Sequence, residues 1–106
     1  MPAQAVLQFI YPKTSASTFN MDYYLNRHWP LVEELWGPQG LLSWSVATGD
    51  KDTNYHVQAI VFWESLGVIE NLTNVDEVMG DVKNFTDATP KKWVGAVVGG
   101  SKKIQG

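Results

Sequence analysis

The residue best suited to proton chemistry is His28, which lies in the segment MDYYLNRHWPLVEELWG, residues 21–37. At about 100° per residue, a helix over this segment places His28 near the middle of its apolar stripe, opposite the charged residues. Such a ring faces the rest of the fold, where burial lowers its pKa and keeps it neutral. A neutral histidine beside a cavity suits general acid or base catalysis. The alternative is a hydrogen-bonded histidine packed in the core.

Pro30 lies in the middle of the same predicted helix. It has no N–H group to donate to the carbonyl of Asn26, so the helix is predicted to bend or open locally. Two explanations remain open at this stage. Either the distortion serves a site around His28, or it only wraps the helix around a sheet while solvent satisfies the free carbonyl.

Aromatic and polar rings offer further candidates, because the chain carries five Trp, four Tyr and four Phe. Tyr11, Tyr24 and Tyr55 are candidates for orienting or polarising a substrate oxygen, and packing with a polar tip explains each equally well. His56 shares one side of its predicted strand with Gln58. It is a candidate for contact with a substrate or with a second chain.

Composition excludes several classes of function. The net charge is −3 and the eight Lys and Arg residues are scattered, which does not fit a nucleic-acid-binding surface. Two histidines, no cysteine and no suitable carboxylate spacing predict no metal site, and we expect no cofactor. No run approaches the roughly 20 apolar residues of a membrane span, and no signal peptide is visible. We therefore expect a cytoplasmic protein with no membrane contact.

The pattern of apolar residues and turn signals predicts one domain over residues 1–106, with a loose tail at 100–106. Asn20 is a candidate cap for the long helix, and Ser65 for a second helical region that Gly67 and Gly80 interrupt. The predicted elements are strand 4–11, helix 21–37, strand 41–48, turn 49–54, strand 55–64, one or two short helices within 65–84, and a last strand in 91–100.

This β-α-β-β-α-β order predicts an α+β, ferredoxin-like fold, an antiparallel sheet with helices on one face. The third strand is nevertheless apolar on both sides. Val57, Ala59, Val61 and Trp63 lie on one side, and Ile60 and Phe62 lie on the other. A sheet that is apolar on both faces needs a second cover. We therefore predict a homodimer formed by stacking two sheets.

Two motifs resemble the EthD family of small proteins. They are FNMDYYLNRHWPLVEELWGP, residues 19–38, and GDVKNFTDATPKKWVGAVV, residues 80–98. The resemblance covers nearly the whole chain and implies a dimeric α+β barrel with a cleft between the sheet and helices of each chain. In several proteins of the wider superfamily a histidine at the place of His28 performs proton transfer. The position between His28 and Pro30 holds the bulky Trp29 here, which implies a reshaped pocket.

The favoured function is a cofactor-independent lyase or isomerase, of cyclase, dehydratase or decarboxylase type. Its substrate would be a hydrophobic oxygenated small molecule such as an aromatic polyketide or a lactone. His28, Tyr24 and Tyr55 would be catalytic, while the substrate-binding candidates are Tyr11, Trp29, Trp44, His56, Phe62 and Trp63. One alternative is a non-catalytic carrier or accessory protein of an oxygenase system. A haem or metal protein is the other, and the lack of an anchoring set of ligands argues against it.

Overall fold

The structure, a computed structural model, describes residues 4–101 apart from the side chain of Ser17. It confirms the predicted β-α-β-β-α-β order. The strands are β1 (Ala5–Pro12), β2 (Leu41–Thr48), β3 (Tyr55–Trp63) and β4 (Lys91–Ala96), and the α-helices are α1 (Met21–Tyr23), α2 (Trp29–Trp36), α3 (Leu66–Glu70) and α4 (Val75–Gly80). A π-helical turn, Tyr24–His28, joins α1 to α2, and short 3-10 helices span Lys13–Ser17, Gly37–Gln39 and Asp81–Asn84.

The four strands form one antiparallel sheet in the order β2-β3-β1-β4. Burial alternates along β1 and β3, as a sheet covered on one face requires. Val57, Ala59, Val61 and Trp63 are fully buried beneath the helices, while Ile60 and Phe62 are only partly buried on the other face. The predicted division of β3 into two sides is therefore confirmed, and the structure shows that the helices cover the side of Val57.

The first helical segment begins as predicted and is distorted where Pro30 requires it. The side chain of Asn20 accepts a hydrogen bond from the backbone N–H of Tyr23 at 3.1 Å. In the π-helical turn the N–H of Trp29 bonds to the carbonyl of Tyr24, five residues earlier. Because Pro30 cannot supply the regular bond to Asn26, the wider turn replaces an ordinary α-helical one. Single π turns of this kind occur frequently at functional sites.

The second helical region divides into two short helices, as predicted, but the glycines do not mark the break. Gly67 lies inside α3 and Gly80 ends α4, while the chain leaves the helix at residues 71–74. The hydroxyl oxygen of Ser65 accepts a bond from the N–H of Val68 at 3.2 Å and begins α3. After α4, the 3-10 helix Asp81–Asn84 returns the chain toward the first helical segment. Over the described residues, no helix is long and apolar enough to cross a membrane.

The last strand is shorter than predicted. Strand β4 ends at Ala96, which pairs with Ala5 at the start of β1, its partner strand in the sheet. Beyond that pair, one bond from the N–H of Val97 to the carbonyl of Gln4 continues the contact at 2.9 Å. Among residues 4–101, no strand pairs with the apolar residues that follow, so strand propensity alone does not extend β4 there. Most of the predicted loose tail at 100–106 lies outside the described residues.

Candidate active site

A small cavity lies between the helices and the inner face of the sheet. Its free volume is about 10 Å³, the space that one water molecule needs. The wall is almost entirely apolar and aromatic, with His28 as its one ionisable basic residue. The lining residues are Phe9, Tyr11, Tyr24, His28, Trp29, Val32, Trp36, Val78, Met79 and Val82.

His28 is paired with a carboxylate at this cavity. Its Nδ1 lies 2.9 Å from Oδ2 of Asp81, and the side chains are 6% and 13% exposed. The other carboxylate oxygen, Oδ1, accepts the hydroxyl of Tyr23 at 2.7 Å and the Nδ2–H of Asn84 at 2.9 Å. The carboxylate is thus fixed from two further sides, and it holds the imidazole in one orientation.

The charges of the pair follow from burial and from these bonds. Burial lowers the pKa of His28 below its ordinary value of 6.5, and Asp81 only partly opposes that effect. Burial alone would raise the pKa of Asp81, but bonds from Asn84, Tyr23 and His28 outweigh it and lower that pKa. At neutral pH the carboxylate is therefore ionised and the imidazole neutral. Since an ionised carboxylate only accepts, Nδ1 carries the proton and Nε2 carries the free lone pair.

Aromatic rings enclose the imidazole. The π-helical turn brings Tyr24 and His28, four residues apart, into a stack with ring centroids 5.6 Å apart and planes at 11°. Phe85 lies 4.7 Å from the imidazole and Trp29 lies 5.9 Å from it, both measured between centroids. This apolar surrounding explains the lowered pKa of His28, because it removes the water that would solvate the cation.

Two tyrosine hydroxyls at the cavity remain protonated. Burial raises the pKa of Tyr24, although a nearby indole N–H of Trp29 acts in the opposite direction. Burial also raises the pKa of Tyr11, and electrostatic repulsion from the neighbouring Tyr24 raises it further. Both hydroxyls can therefore donate a hydrogen bond at any physiological pH.

Five of the predicted site residues gather at or beside this cavity. His28, Tyr24, Tyr11 and Trp29 line it. Trp44 stacks on Trp29 with centroids 4.7 Å apart and planes at 18°, and its indole N–H donates to a carboxylate oxygen of Glu33. Trp44 also borders an open depression of about 550 Å³, together with Glu33, Gly37, Leu41, Leu42 and Ser43. The stacked indoles thus stand between the inner cavity and a larger outer space.

The other predicted residues lie elsewhere. Tyr55 is 39% exposed at the start of β3, where the amine of Lys91 lies over its ring at 5.7 Å. Phe62 is on the opposite face of the sheet, and Trp63 is buried against Trp36 with centroids 5.7 Å apart. The ring of His56 packs at a steep angle against Phe19, with ring centroids 5.4 Å apart. Phe19 in turn packs against Tyr24, so His56 does not contact Tyr24 directly. None of these four belongs to the lining of the cavity.

Asp81 belongs to the candidate site but was not predicted from the sequence. It lies 53 residues from His28 along the chain, so helical or strand periodicity could not pair the two. The available signal was its place at the start of the second EthD-like motif, in GDVKN. Within the described residues, no group of three or more His, Cys, Asp and Glu side chains is arranged to hold a metal ion.

No model of a known protein family matches the sequence, and no curated protein matches it. Solved structures do match the fold. An EthD-like protein from Ralstonia eutropha JMP134 superimposes with a TM-score of 0.83 at 21% identity, over 97% of this chain and 99% of that chain. An ethyl tert-butyl ether D (EthD) family protein from Bacillus halodurans C-125 gives a TM-score of 0.65 at 16% identity, over 87% and 96% of the two chains.

A third similar structure is a monooxygenase from Streptomyces coelicolor in complex with the ligand nanaomycin D. It gives a TM-score of 0.65 at 16% identity, over 93% of this chain and 91% of that chain. At such identities the likeness concerns the fold. The ferredoxin-like architecture and the resemblance to EthD-like proteins are thereby confirmed at the level of structure.

Proposed function

With the fold of EthD-like proteins as the premise, we propose that this chain is a cofactor-independent enzyme of lyase or isomerase type. Its substrate is a hydrophobic oxygenated small molecule such as an aromatic polyketide or a lactone. The observation that carries the proposal is the His28–Asp81 pair, at 2.9 Å, beside an apolar cavity. A neutral imidazole held by a carboxylate is suited to removing a proton from carbon.

The chemistry begins with proton transfer next to a carbonyl group. The lone pair on Nε2 of His28 takes the proton, the electrons of the C–H bond form a carbon–carbon double bond, and the carbonyl electrons move to oxygen. Asp81 stabilises the imidazolium that results. Return of the proton to another carbon gives an isomerisation, and loss of a leaving group gives an elimination. Proton transfer by a placed side chain contributes about 10²–10⁴-fold to such a rate.

The similar fold of a monooxygenase with a bound nanaomycin D supports the choice of an aromatic, oxygenated ligand. So does the aromatic wall, because sites for such ligands combine an apolar lining with a few polar groups. Trp44 would contact the body of the substrate, which would lie in the outer depression. Because the inner cavity has room for about one water molecule, only the reacting end of the substrate enters it. The ring of Trp44 must move aside for the rest of the molecule, while Trp29 keeps its place in the cavity wall.

Exchange of hydrogen for deuterium tests the proposal without the natural substrate. β-Tetralone is an aromatic ketone with acidic C–H bonds next to its carbonyl, and NMR follows the loss of those proton signals in heavy water. We expect the protein to accelerate this exchange above the buffer rate, in a manner that depends on His28. Saturable binding without any acceleration would instead support the carrier alternative.

We further propose a homodimer in which the uncovered sheet faces stack. The uncovered face presents half-buried apolar side chains on β1 and β3, and the ring of Trp93 on β4, which is 53% exposed. Apolar surface of this kind is stabilised by a second cover. The lack of cysteine fits a reducing compartment, and we propose a cytoplasmic location on that ground.

Sedimentation velocity checks the dimer with two charged variants. We expect the wild type to sediment as a dimer and Phe62→Lys as a monomer, because the substitution buries an unpaired ammonium group in the interface. The matched control is Val75→Lys, which places the same charge on a residue of α4 that is 37% exposed and should remain dimeric. A monomeric wild type would contradict the proposal, as would a Phe62→Lys variant that stays dimeric.

A further inference from the structure

Two hydrogen-bond donors at the cavity have no partner in the part of the chain that the structure describes. They are the hydroxyl of Tyr24 and the indole Nε1–H of Trp29. The two groups lie near enough for the indole to lower the pKa of Tyr24, but no hydrogen bond of normal geometry joins them. Each side chain is only 1% exposed. A buried donor without an acceptor destabilises a fold, and such groups are rare in native proteins. Two of them lining the same small cavity indicate a place where an acceptor from outside the chain binds.

The two donors adjoin the proposed base. The ring of Tyr24 stacks on His28, and the ring of Trp29 meets both of them edge-on, at centroid distances of 6.0 Å from Tyr24 and 5.9 Å from His28. Trp29 occupies the position between His28 and Pro30, so its placement depends on the same π-helical turn. An oxygen atom seated between the two donors would therefore lie beside the imidazole.

We propose that the Tyr24 hydroxyl and the Trp29 indole N–H together bind the carbonyl oxygen of the substrate. This inference rests on the proposed function and specifies its substrate class, a ketone, ester or lactone with a C–H bond next to the carbonyl. As His28 removes that proton, the negative charge develops on the oxygen that both groups already contact. Preorganised donors at such an oxygen stabilise the transition state more than the ground state.

The chemistry of the two groups selects for such an oxygen. An indole N–H only donates, and the buried Tyr24 hydroxyl stays protonated, so the pair offers two donors. A cation or an ammonium group finds no acceptor in the indole. Neither donor can take the proton from the substrate, which leaves that role to His28. Binding of the oxygen and removal of the proton are thus assigned to different residues.

β-Naphthol, a stable analogue of the enol of β-tetralone, serves as the probe. In ¹⁵N-labelled protein, we expect saturating β-naphthol to shift the indole N–H signal of Trp29 downfield, as a new hydrogen bond does. The matched control is Trp63, whose indole N–H is also buried without a partner but lies outside the cavity lining. Its signal should stay in place. The signals are assigned with Trp29→Phe and Trp63→Phe.

Calorimetric titration of the variants gives the second readout. Tyr24→Phe and Trp29→Phe each remove one donor while keeping an aromatic ring, and we expect each to weaken β-naphthol binding by about tenfold or more. Trp63→Phe should leave the affinity unchanged. If Trp29→Phe does not fold, the Trp29 signal stays unassigned, and the affinity of Tyr24→Phe compared with that of Trp63→Phe decides the question.

Three results would overturn the inference: an affinity that both donor variants retain, a Trp29 signal that does not move, or no binding of β-naphthol up to its solubility limit. The test is separate from that of the proposed function, because β-naphthol undergoes no reaction. A His28→Gln variant should still bind it. Loss of catalysis in that variant with retained, Trp29-dependent binding would support both proposals, whereas retained catalysis would contradict only the role of His28.

Discussion

Replacement of His28 by glutamine is expected to lower the rate of deuterium exchange into β-tetralone by about 10²–10⁴-fold, the contribution of a placed general base. Glutamine is polar and similar in size, and its amide can still donate a hydrogen bond to Asp81. It cannot take up a proton in this pH range. The variant therefore removes the base while it keeps a polar side chain of similar size beside Asp81, the partner of Nδ1 in the wild type.

The chain offers a matched control, because His56 is its only other histidine. His56→Gln is the same chemical change at a ring that contacts Phe19 and does not line the cavity. We expect it to change the exchange rate by less than about tenfold. Equal losses in the two variants, or an unaffected rate in His28→Gln, would rule out His28 as the base.

Asp81→Asn is expected to lower the same rate by about a hundredfold, through the tautomer of His28. Two groups, the Tyr23 hydroxyl and Asn84 Nδ2–H, donate to Oδ1 of Asp81. The carbonyl oxygen of an asparagine would take that place, which turns its NH₂ group toward Nδ1 of His28. The imidazole would then accept at Nδ1 and carry its proton on Nε2, the nitrogen that must act as the base. In metal sites, mutation of the groups that orient a histidine typically lowers metal affinity or activity by about 10–100-fold.

Tyr23→Phe separates this effect from a general loss of order around the carboxylate. It removes one donor to Oδ1 but keeps the charge of Asp81 and its bond to His28, so we expect a rate within about tenfold of the wild type. The pH profile adds a readout that a structural role would not affect. Since Asp81 raises the pKa of His28 against the effect of burial, its loss should move the acid limb of the profile to lower pH. An unmoved limb with full activity would contradict the role of Asp81.

Much of the fold could be predicted because its signals are local. The alternation of buried and half-buried residues along β3, the caps at Asn20 and Ser65, and the missing donor at Pro30 each depend on residues a few positions apart. Helical periodicity likewise indicates that His28 faces the interior. The end of β4 could not be predicted, because it is set by where β1 begins.

The site was less predictable, since it depends on contacts between distant segments. The sequence does not show that the 3-10 helix after α4 docks Asp81 against His28. Strand periodicity gives the two sides of β3 but does not indicate that Tyr55 lies under Lys91, or that Trp63 is enclosed by Trp36. The size of the cavity also depends on side-chain packing, because the stacked indoles of Trp29 and Trp44 fill space that a smaller residue would leave open.

The most direct test of the account is an NMR titration of the imidazole nitrogens of His28 in ¹⁵N-labelled His56→Gln protein, where His28 is the only histidine. We expect a neutral ring at pH 7 with the proton on Nδ1, and a midpoint below the ordinary pKa of 6.5 because burial disfavours the cation. Since the neutral form is the base, exchange of β-tetralone should rise with pH through the same midpoint. A ring that is protonated at pH 7, or that carries its proton on Nε2, would contradict proton transfer by this pair.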